Sequence, residues 1–483
     1  YMTGLLFGFL SKDFNQMGDI YSSLGIIHLF ALSGMQVNFF IDWFRRIILR
    51  LGITREKLNI WQIPFSIFYA FMTGFSVSVL RALFQKNIRL NPLDNLAVTT
   101  FLMMIVSPKF LLTTGGQLTL FYAFVISMIS HKFSELKGIR KLLTESSVIY
   151  LSVLPLLILD FHIFQPFSIL LTIGFGFLFD VILLPLLLGT FLLSLIGYNF
   201  NINHIFQILE WLIHEVDLPL HYPLVLGNPR PIELLILFFL IGLLIDNLFK
   251  KRRQIIFAGL IVCSFFICKN PIYPSITAVD IGQGDSIFLQ DKFNKETILI
   301  DTGGRLALPQ ERWQKPQSQT NAEKTLIPYL ESVGVSQIDQ LILTHTDADH
   351  VGDFLNLADK IKIKEIWVSP GELTNNHFVQ KLKKANIAIH ISKVGDKIPI
   401  FDSALQVLSN GYTGKGDNND SIVTYGNFYH TKFLFTGDLE QEGEKELLKN
   451  YPKLKVDVLK VGHHGSKTCL LYTSDAADDM QCV

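Results

Sequence analysis

"LILTHTDADHVGD", residues 341 to 353, places two histidines and three aspartates directly after a short apolar run. The run reads as the end of a strand and the polar residues as the loop that leaves it. The same pattern recurs downstream: "KFLFTGD" (432 to 438) ends in Asp438, and "VDVLKVGHHGS" (456 to 466) ends in His463 and His464. If these strands are neighbours in one sheet, their ends bring His345, Asp347, Asp349, His350, Asp438, His463 and His464 to one edge. Any one such residue is an ordinary turn or solvated side chain, but seven at three strand ends point to a metal site. Imidazole with carboxylate suits Zn, Mn or Fe rather than the all-oxygen shell of Ca. An EF-hand reading of "DADHVGD" fails, because Val351 stands at the loop's fifth position and Ala358 at its twelfth, where the closing Glu is required.

Short strands continue on both sides of the opening stretch. "SITAVDIGQGDSIFLQ" (275 to 290) reads as two strands around a Gly-rich turn, and "TILIDTGG" (297 to 304) and "EIWVSP" (365 to 370) read as single strands. Each is too short and too rich in β-branched and aromatic residues for a helix.

Before about residue 274 the composition changes. Blocks such as "SILLTIGFGFLFDVILLPLLLGTFLLSLIG" (168 to 197) belong in lipid, and they raise the mean hydropathy of the 483 residues to +0.35. Candidate spans fall near 24–44, 60–84, 94–107, 117–131, 147–160, 163–197 (long enough for two), 232–249 and 255–268, given that a crossing needs about 20 residues. Several are short or broken by Gly and Pro, as in segments that pack on protein or line a watery cavity.

The zero net charge conceals a division: residues 1–274 hold 20 Lys plus Arg against 14 Asp plus Glu, and 275–483 hold 22 against 28. The basic excess suits cytoplasmic anchoring, and also attraction of a polyanion. "RRIILR" (45 to 50), "KGIRK" (137 to 141) and "KKRR" (250 to 253) mark cytoplasmic loops. One further crossing at 255–268 then carries everything after Lys269 to the outer face. Four cysteines, Cys263, Cys268, Cys469 and Cys482, make no CxxC pair and no disulfide framework, leaving the redox compartment open.

Polar residues interrupt the apolar spans. His28, Ser33 and Gly34 lie in "HLFALSGMQV" (28 to 37), Arg81 in "SVLRALF" (78 to 84) and Gln117 in "GGQLTLF" (115 to 121). Small and hydroxyl residues commonly glue membrane helices together. A guanidinium in mid-membrane needs a partner or water, so Arg81 reads equally as a pore-lining residue or as half of a structural pair, and it joins His28, Ser33, Gly34 and Gln117 as a channel candidate.

Together, "VDIGQGDSI", "LIDTG", "THTDADHVGD", "FTGD" and "VGHHGS" resemble the metallo-β-lactamase-like domain of the ComEC family, bacterial inner-membrane proteins of competence. "HLFALSGMQV", "SVLRALF" and "SPKFLLTTGGQLTL" are similar to that family's membrane region, so the resemblance runs from about residue 20 to 468. It implies a polytopic α-helical membrane domain (1–274), truncated at its N-terminus, followed by an α/β domain (275–468), an αββα sandwich truncated at its C-terminus. The chain opens at Tyr1 inside an apolar stretch and reads as a fragment. The tail 469–483, "CLLYTSDAADDMQCV", reads as non-native.

The resemblance also implies two divalent metal ions, Zn or Mn. His345 and Asp347 would hold one, Asp349 and His350 the other, with Asp438 bridging and His463 or His464 completing the shell. Asp347 stands where many relatives have His, which tilts the site toward Mn as well as Zn. A further His ligand of the fold has no counterpart in "GDNNDSIV" (416 to 423); His377, His390 and His430 read as surface or strand residues.

The implied function is an inner-membrane channel importing single-stranded DNA, with an extracytoplasmic metal-dependent nuclease degrading the other strand. Asp349, Asp438 and His350 are its expected catalytic residues, Asp349 orienting the attacking water. The alternatives are a DNA transporter whose second domain is a non-catalytic module that binds metal or grips DNA, and a membrane-anchored metallo-hydrolase of another substrate. The expected partners are DNA, membrane lipid, a DNA receptor, and a cytoplasmic motor or single-strand-binding proteins. No P-loop of the GxxxxGK type occurs, so an ATP-driven step would need another protein.

Overall fold

The computed structural model describes residues 1–9, 14–30, 32–133, 136–198, 200–248, 250–282, 284–304, 320–411 and 413–465. The expected non-native tail lies outside them. The chain divides into two compact units, Tyr1–Leu224 with Pro229–Val262, and Val225–Asn228 with Cys263–Val483.

The first unit is helical. Among the described residues two stretches, Gly138–Phe161 and Ser168–Leu195, are long and apolar enough to cross a membrane; Pro92–Val106 and Thr114–Ile129 are apolar but shorter. The expected span 24–44 divides into a 3₁₀ turn, Ile27–Leu29, and a helix, Gly34–Arg50. Ser33 starts that helix: its Oγ accepts from the Met35 N–H at 3.3 Å, and the Gln36 side chain accepts from the Ser33 backbone.

The expected span 60–84 is two helices, Leu58–Met72 and Val77–Asn87. Between them Gly74 and Phe75 take positive φ of 60° and 54°, which a helix cannot propagate. The region 163–197 gives one 28-residue helix rather than two. It passes through a π-helical turn, Phe179–Leu183, just ahead of Pro185, where the wider turn relieves the clash of the proline ring with the preceding turn. A helix over Asn203–Leu220 was not among the expected spans; its His, Gln, Glu and Asp residues hide it from a hydropathy reading.

These helices bury a common core, including Tyr21, Phe30, Phe110 and Phe179. They also leave large apolar side chains outward: Phe68 and Phe71, Phe101 and Ile105, Phe177, and Leu235 and Phe239. An apolar coat of that extent is foreign to a water-facing surface.

The second unit is a sandwich of two sheets. Strands β1 (Ser275–Ala278), β2 (Ile287–Gln290), β3 (Thr297–Ile300), β4 (Gln337–Ile342), β5 (Lys362–Val368) and β6 (Ala388–Ile391) form one sheet in that order, antiparallel up to β3 and parallel beyond it. Strands β7 (Lys397–Ile400), β8 (Ser403–Ser409), β9 (Val423–Phe428), β10 (Thr431–Phe435) and β11 (Val458–Lys460) form the other, antiparallel except for the β10–β11 pair.

Strand alternation makes the layers. Ile287 and Leu289 on β2, and Ile298 and Ile300 on β3, face Leu405, Val407 and Phe435 of the opposite sheet. Phe288 and Leu299 point the other way, into a core shared with Leu330, Phe354 and Leu382 from three helices. Leu408, Val423 and Leu434 pack on Leu447 of helix Gln441–Asn450. The result is helix, sheet, sheet, helix, the expected αββα order.

Candidate metal centre

The site residues do not leave neighbouring strands of a single sheet. His345 follows β4 in the six-stranded sheet, whereas Asp438 and His463 follow β10 and β11 in the five-stranded one. The two sheets are joined at this edge by a backbone bond from Ile422 N–H to Thr344 O, 3.0 Å. β3 and β4 run parallel, as do β10 and β11, so each pair delivers its two following loops to the same end.

His345, His350 and Asp438, all buried, offer ligand atoms within 4.8 Å of one another. His350 Nε2 stands 3.1 Å from Asp438 Oδ2. Asp301, at the end of β3, organises both rings. Its Oδ1 accepts from Thr344 N–H at 2.8 Å, and its Oδ2 accepts from Thr344 Oγ1 at 2.7 Å and from His350 Nδ1 at 2.8 Å. With its proton given to Asp301, the Thr344 hydroxyl accepts from His345 Nδ1, 3.0 Å away. Both Nδ1 atoms therefore carry the proton, and both Nε2 atoms are assigned to the centre.

His345 Nε2 is buried without a hydrogen-bond partner among the described residues; the Asp347 Oδ2 at 3.8 Å is beyond bonding distance. An imidazole nitrogen left bare beside a second imidazole and a carboxylate is the donor set of a Zn, Mn or Fe site, and these residues fit the group. Without an ion, burial and the neighbouring His350 push the His345 pKa down to about 4. Burial also opposes charge on His350, but Asp301 and Asp438 overcome it and raise its pKa to about 10. Asp438 resists its burial through His350 and Lys460 and is held below the usual carboxylate range.

Two glycines make room for the loops. Gly284 has φ +87°, and a Cβ there would stand 1.7 Å from Asp349 O; Gly304 has φ +154°, and its Cβ would stand 2.1 Å from Ala348 O. The "GQGDS" and "DTGG" loops thus press on the backbone of "HTDADH".

Asp349 and His350 sit on a single helical turn, Ala348–Val351. Asp347 is its N-cap and is half-exposed, its pKa raised by partial burial and by Asp349. The His463 backbone N–H donates to Asp438 Oδ1 at 3.2 Å, while its ring lies 3.8 Å from Glu440 Oε1. His464 shares that 3₁₀ turn, and its side chain lies outside the described residues. In the stretch without a histidine, the amides of Asn418 and Asn419 each donate to Glu440 at 3.2 Å.

Several site residues escape a reading by ligand type. Asp301 and Asp285 carry the same signal as the ligands, an aspartate beside an apolar strand and a Gly-rich turn, and Lys460 carries none. Asp420 is fully buried; burial opposes its charge, but the N–H groups of Gly414, Gly416 and Thr413 hold its pKa down. Thr346 Oγ1 donates to Gly416 O at 3.0 Å, tying that loop to the metal-site loop.

The channel candidates separate. Gly34 and Arg81 line a cavity of about 720 Å³ in the helical unit, with Asn38, Arg46, Gln85 and Ser127. Arg81 donates to Gln85 Oε1 at 2.6 Å and Thr119 Oγ1 at 3.1 Å. Gln117 lines a different, mostly apolar cavity and donates to Leu111 O at 2.9 Å. Ser33 is spent on the helix cap, and His28 lies on the exposed 3₁₀ turn.

Residues 5–251 match the Competence protein family. The chain belongs to that family. Residues 279–478 match the metallo-beta-lactamase superfamily, whose fold implies divalent metal binding. Among curated relatives of this competence-family chain, ComE operon protein 3 of Bacillus subtilis (strain 168) is 32% identical over 92% of the chain. The chain spans 61% of that relative's length. Recombination protein 2 of Haemophilus influenzae is 28% identical over 40% of the chain and 21% of its own length. Rm3 metallo-beta-lactamase is 11% identical with a TM-score of 0.28, over 41% of this chain and 79% of that one.

Proposed function

We propose that this chain imports DNA during natural transformation. The helical unit is a multi-pass channel in the bacterial inner membrane that admits one strand, and the second unit is a metal-dependent nuclease outside the membrane that degrades the other. The observation that carries this reading is a buried His345–His350–Asp438 cluster with an orphaned imidazole nitrogen, in a chain whose helical half is of the competence family.

A divalent ion, Zn or Mn, supplies a Lewis acid that activates water and neutralises charge on a phosphoryl group. His345, His350 and Asp438 would hold it, and Asp347, Asp349 and His463 or His464 would be the residues for a second ion, a different division from the expected His345–Asp347 and Asp349–His350 pairs. Asp301 fixes the His350 ring directly and the His345 ring through Thr344, so the ligands are pre-organised. Asp438 stays ionised at neutral pH. Asp349, on the same helical turn as His350, orients the attacking water.

The outward apolar coat of the helical unit supports membrane insertion. The Arg81 cavity, with Gly34, Asn38 and Gln85 on its wall, offers a strand hydrogen-bond donors and a cation for its phosphates. A DNA receptor outside, and a motor or single-strand-binding proteins inside, complete the route.

Uptake of duplex labelled separately on each strand tests this. One label should enter the cell and the other appear outside as nucleotides, with the second product lost in His350→Ala. Entry of both strands intact would refute the reading.

A further inference from the structure

Lys460 is the last residue of β11, at the edge where the two sheets meet. Its ammonium has three protons and meets three acceptors: Gly437 O at 2.6 Å, Asp438 Oδ1 at 3.1 Å, and the Asp285 carboxylate. All of its donor capacity is therefore spent inside the protein. Its side chain is 14% exposed and Asp285 is 19% exposed, so the pair is largely withdrawn from water.

Asp438 divides its two oxygens between two neighbourhoods. Oδ2 faces His350 Nε2, whereas Oδ1 takes Lys460 Nζ and the His463 N–H. A carboxylate with one oxygen so committed cannot close on an ion through both.

We propose that Lys460 is the positioning residue of Asp438: it takes Oδ1 out of metal ligation, so that Asp438 presents Oδ2 alone to the His345–His350 centre. Asp285 is the counter-ion that keeps Lys460 in place, which gives the "GQGDS" loop a function beyond its turn. This rests on the metal-centre reading above. Its consequence is geometric, since a carboxylate ligating through one oxygen leaves a coordination position open for water or a phosphoryl oxygen.

Co(II) is the probe, because its visible bands follow coordination number and geometry. The whole chain, in detergent, is titrated with Co(II) as wild type, as Asp285→Asn/Lys460→Met and as Lys460→Gln. The double variant removes one positive and one negative charge together, so any change reports geometry rather than net charge. Its visible spectrum should change and its Co(II) affinity should fall about 10-fold or more, the usual loss when a supporting residue of a metal ligand is removed.

Lys460→Gln keeps a donor for Oδ1 without the charge, and should retain the wild-type spectrum. Circular dichroism shows whether each variant is folded. If the double variant does not fold, Lys460→Met alone is read in its place: an altered spectrum, with that of Lys460→Gln unaltered, upholds the assignment and a wild-type spectrum overturns it. A folded double variant with unaltered spectrum and affinity also overturns it, leaving Lys460 a structural ion pair. If the wild type itself takes up no Co(II), the metal-centre reading fails and this inference with it. Co(II) uptake with an unaltered double variant defeats the inference alone.

Discussion

Asp301 Oδ2 lies 2.8 Å from Nδ1 of His350. The carboxylate ends one strand and the imidazole follows the next, and their bond fixes which ring nitrogen faces the centre. Replacing Asp301 by Asn puts an amide NH₂ in competition for that position and frees the ring to adopt the other tautomer. Metal affinity should fall by about 10- to 100-fold, read by competition with a chromogenic chelator. Unchanged affinity would mean that Asp301 does not set the tautomer.

The pH dependence of metal binding follows from the same pair. Without an ion, His350 lies between Asp301 and Asp438 with its pKa raised to about 10, and His345, with a pKa of about 4, is neutral. Binding at pH 7 to 8 should therefore displace one proton, from His350. Apparent affinity should rise about tenfold per pH unit between about pH 5 and 9. Calorimetry in buffers of different ionisation enthalpy counts the proton; none released would contradict the assignment.

The metal-free second unit should also respond to pH in two directions. A raised pKa gives stability that is full below the unfolded value near 6.5 and is lost as pH rises through about 10; this is the His350 contribution. The depressed pKa of His345 acts oppositely: its contribution is full above 6.5 and is lost as pH falls through about 4. Thermal melts of the metal-free chain should show a loss at each end, and saturating metal should move the alkaline loss upward.

Gly284→Ala tests the contact between loops. The residue has φ +87°, and its new Cβ would meet the Asp349 carbonyl, so either the "GQGDS" or the "HTDADH" loop must move. The expected destabilisation is about 2 kcal/mol or more, with metal affinity lowered in parallel. A neutral substitution by both thermal melting and metal titration would show that the loops are not held together.

Arg81 tests the helical unit separately. Arg81→Met removes its bonds to Gln85 and Thr119. Charged hydrogen bonds are worth about 1.5–3 kcal/mol, so transformation frequency should fall at least about tenfold. Release of nucleotides outside the cell should persist, because the metal centre is untouched. Normal transformation would remove Arg81 from the channel.

Much of the second unit was legible because its strands are short apolar runs and its ligand types stand immediately after them. "HTDADH" and "TGD" could be read that way from one-dimensional pattern alone. The two-sheet arrangement could not, since nothing local to β4 or β10 states which strand lies beside it. Asp301 is 49 residues from the histidine it orients, and Lys460 looks like any strand lysine until its three acceptors are known. In the helical half, hydropathy located most apolar segments but missed Asn203–Leu220, whose polar face dilutes it. It also ran through the break at Gly74 and Phe75, where backbone conformation rather than hydropathy ends the helix.

The most direct test of the central claim is digestion of end-labelled single-stranded DNA by the whole chain in detergent with Mn or Zn, beside Asp349→Ala and His350→Ala. Metal-dependent cleavage by the wild type, abolished by chelator and reduced at least about a hundredfold in both variants, is the predicted result. No cleavage with either metal, or cleavage that both variants retain, would contradict a nuclease centre at His345, His350 and Asp438.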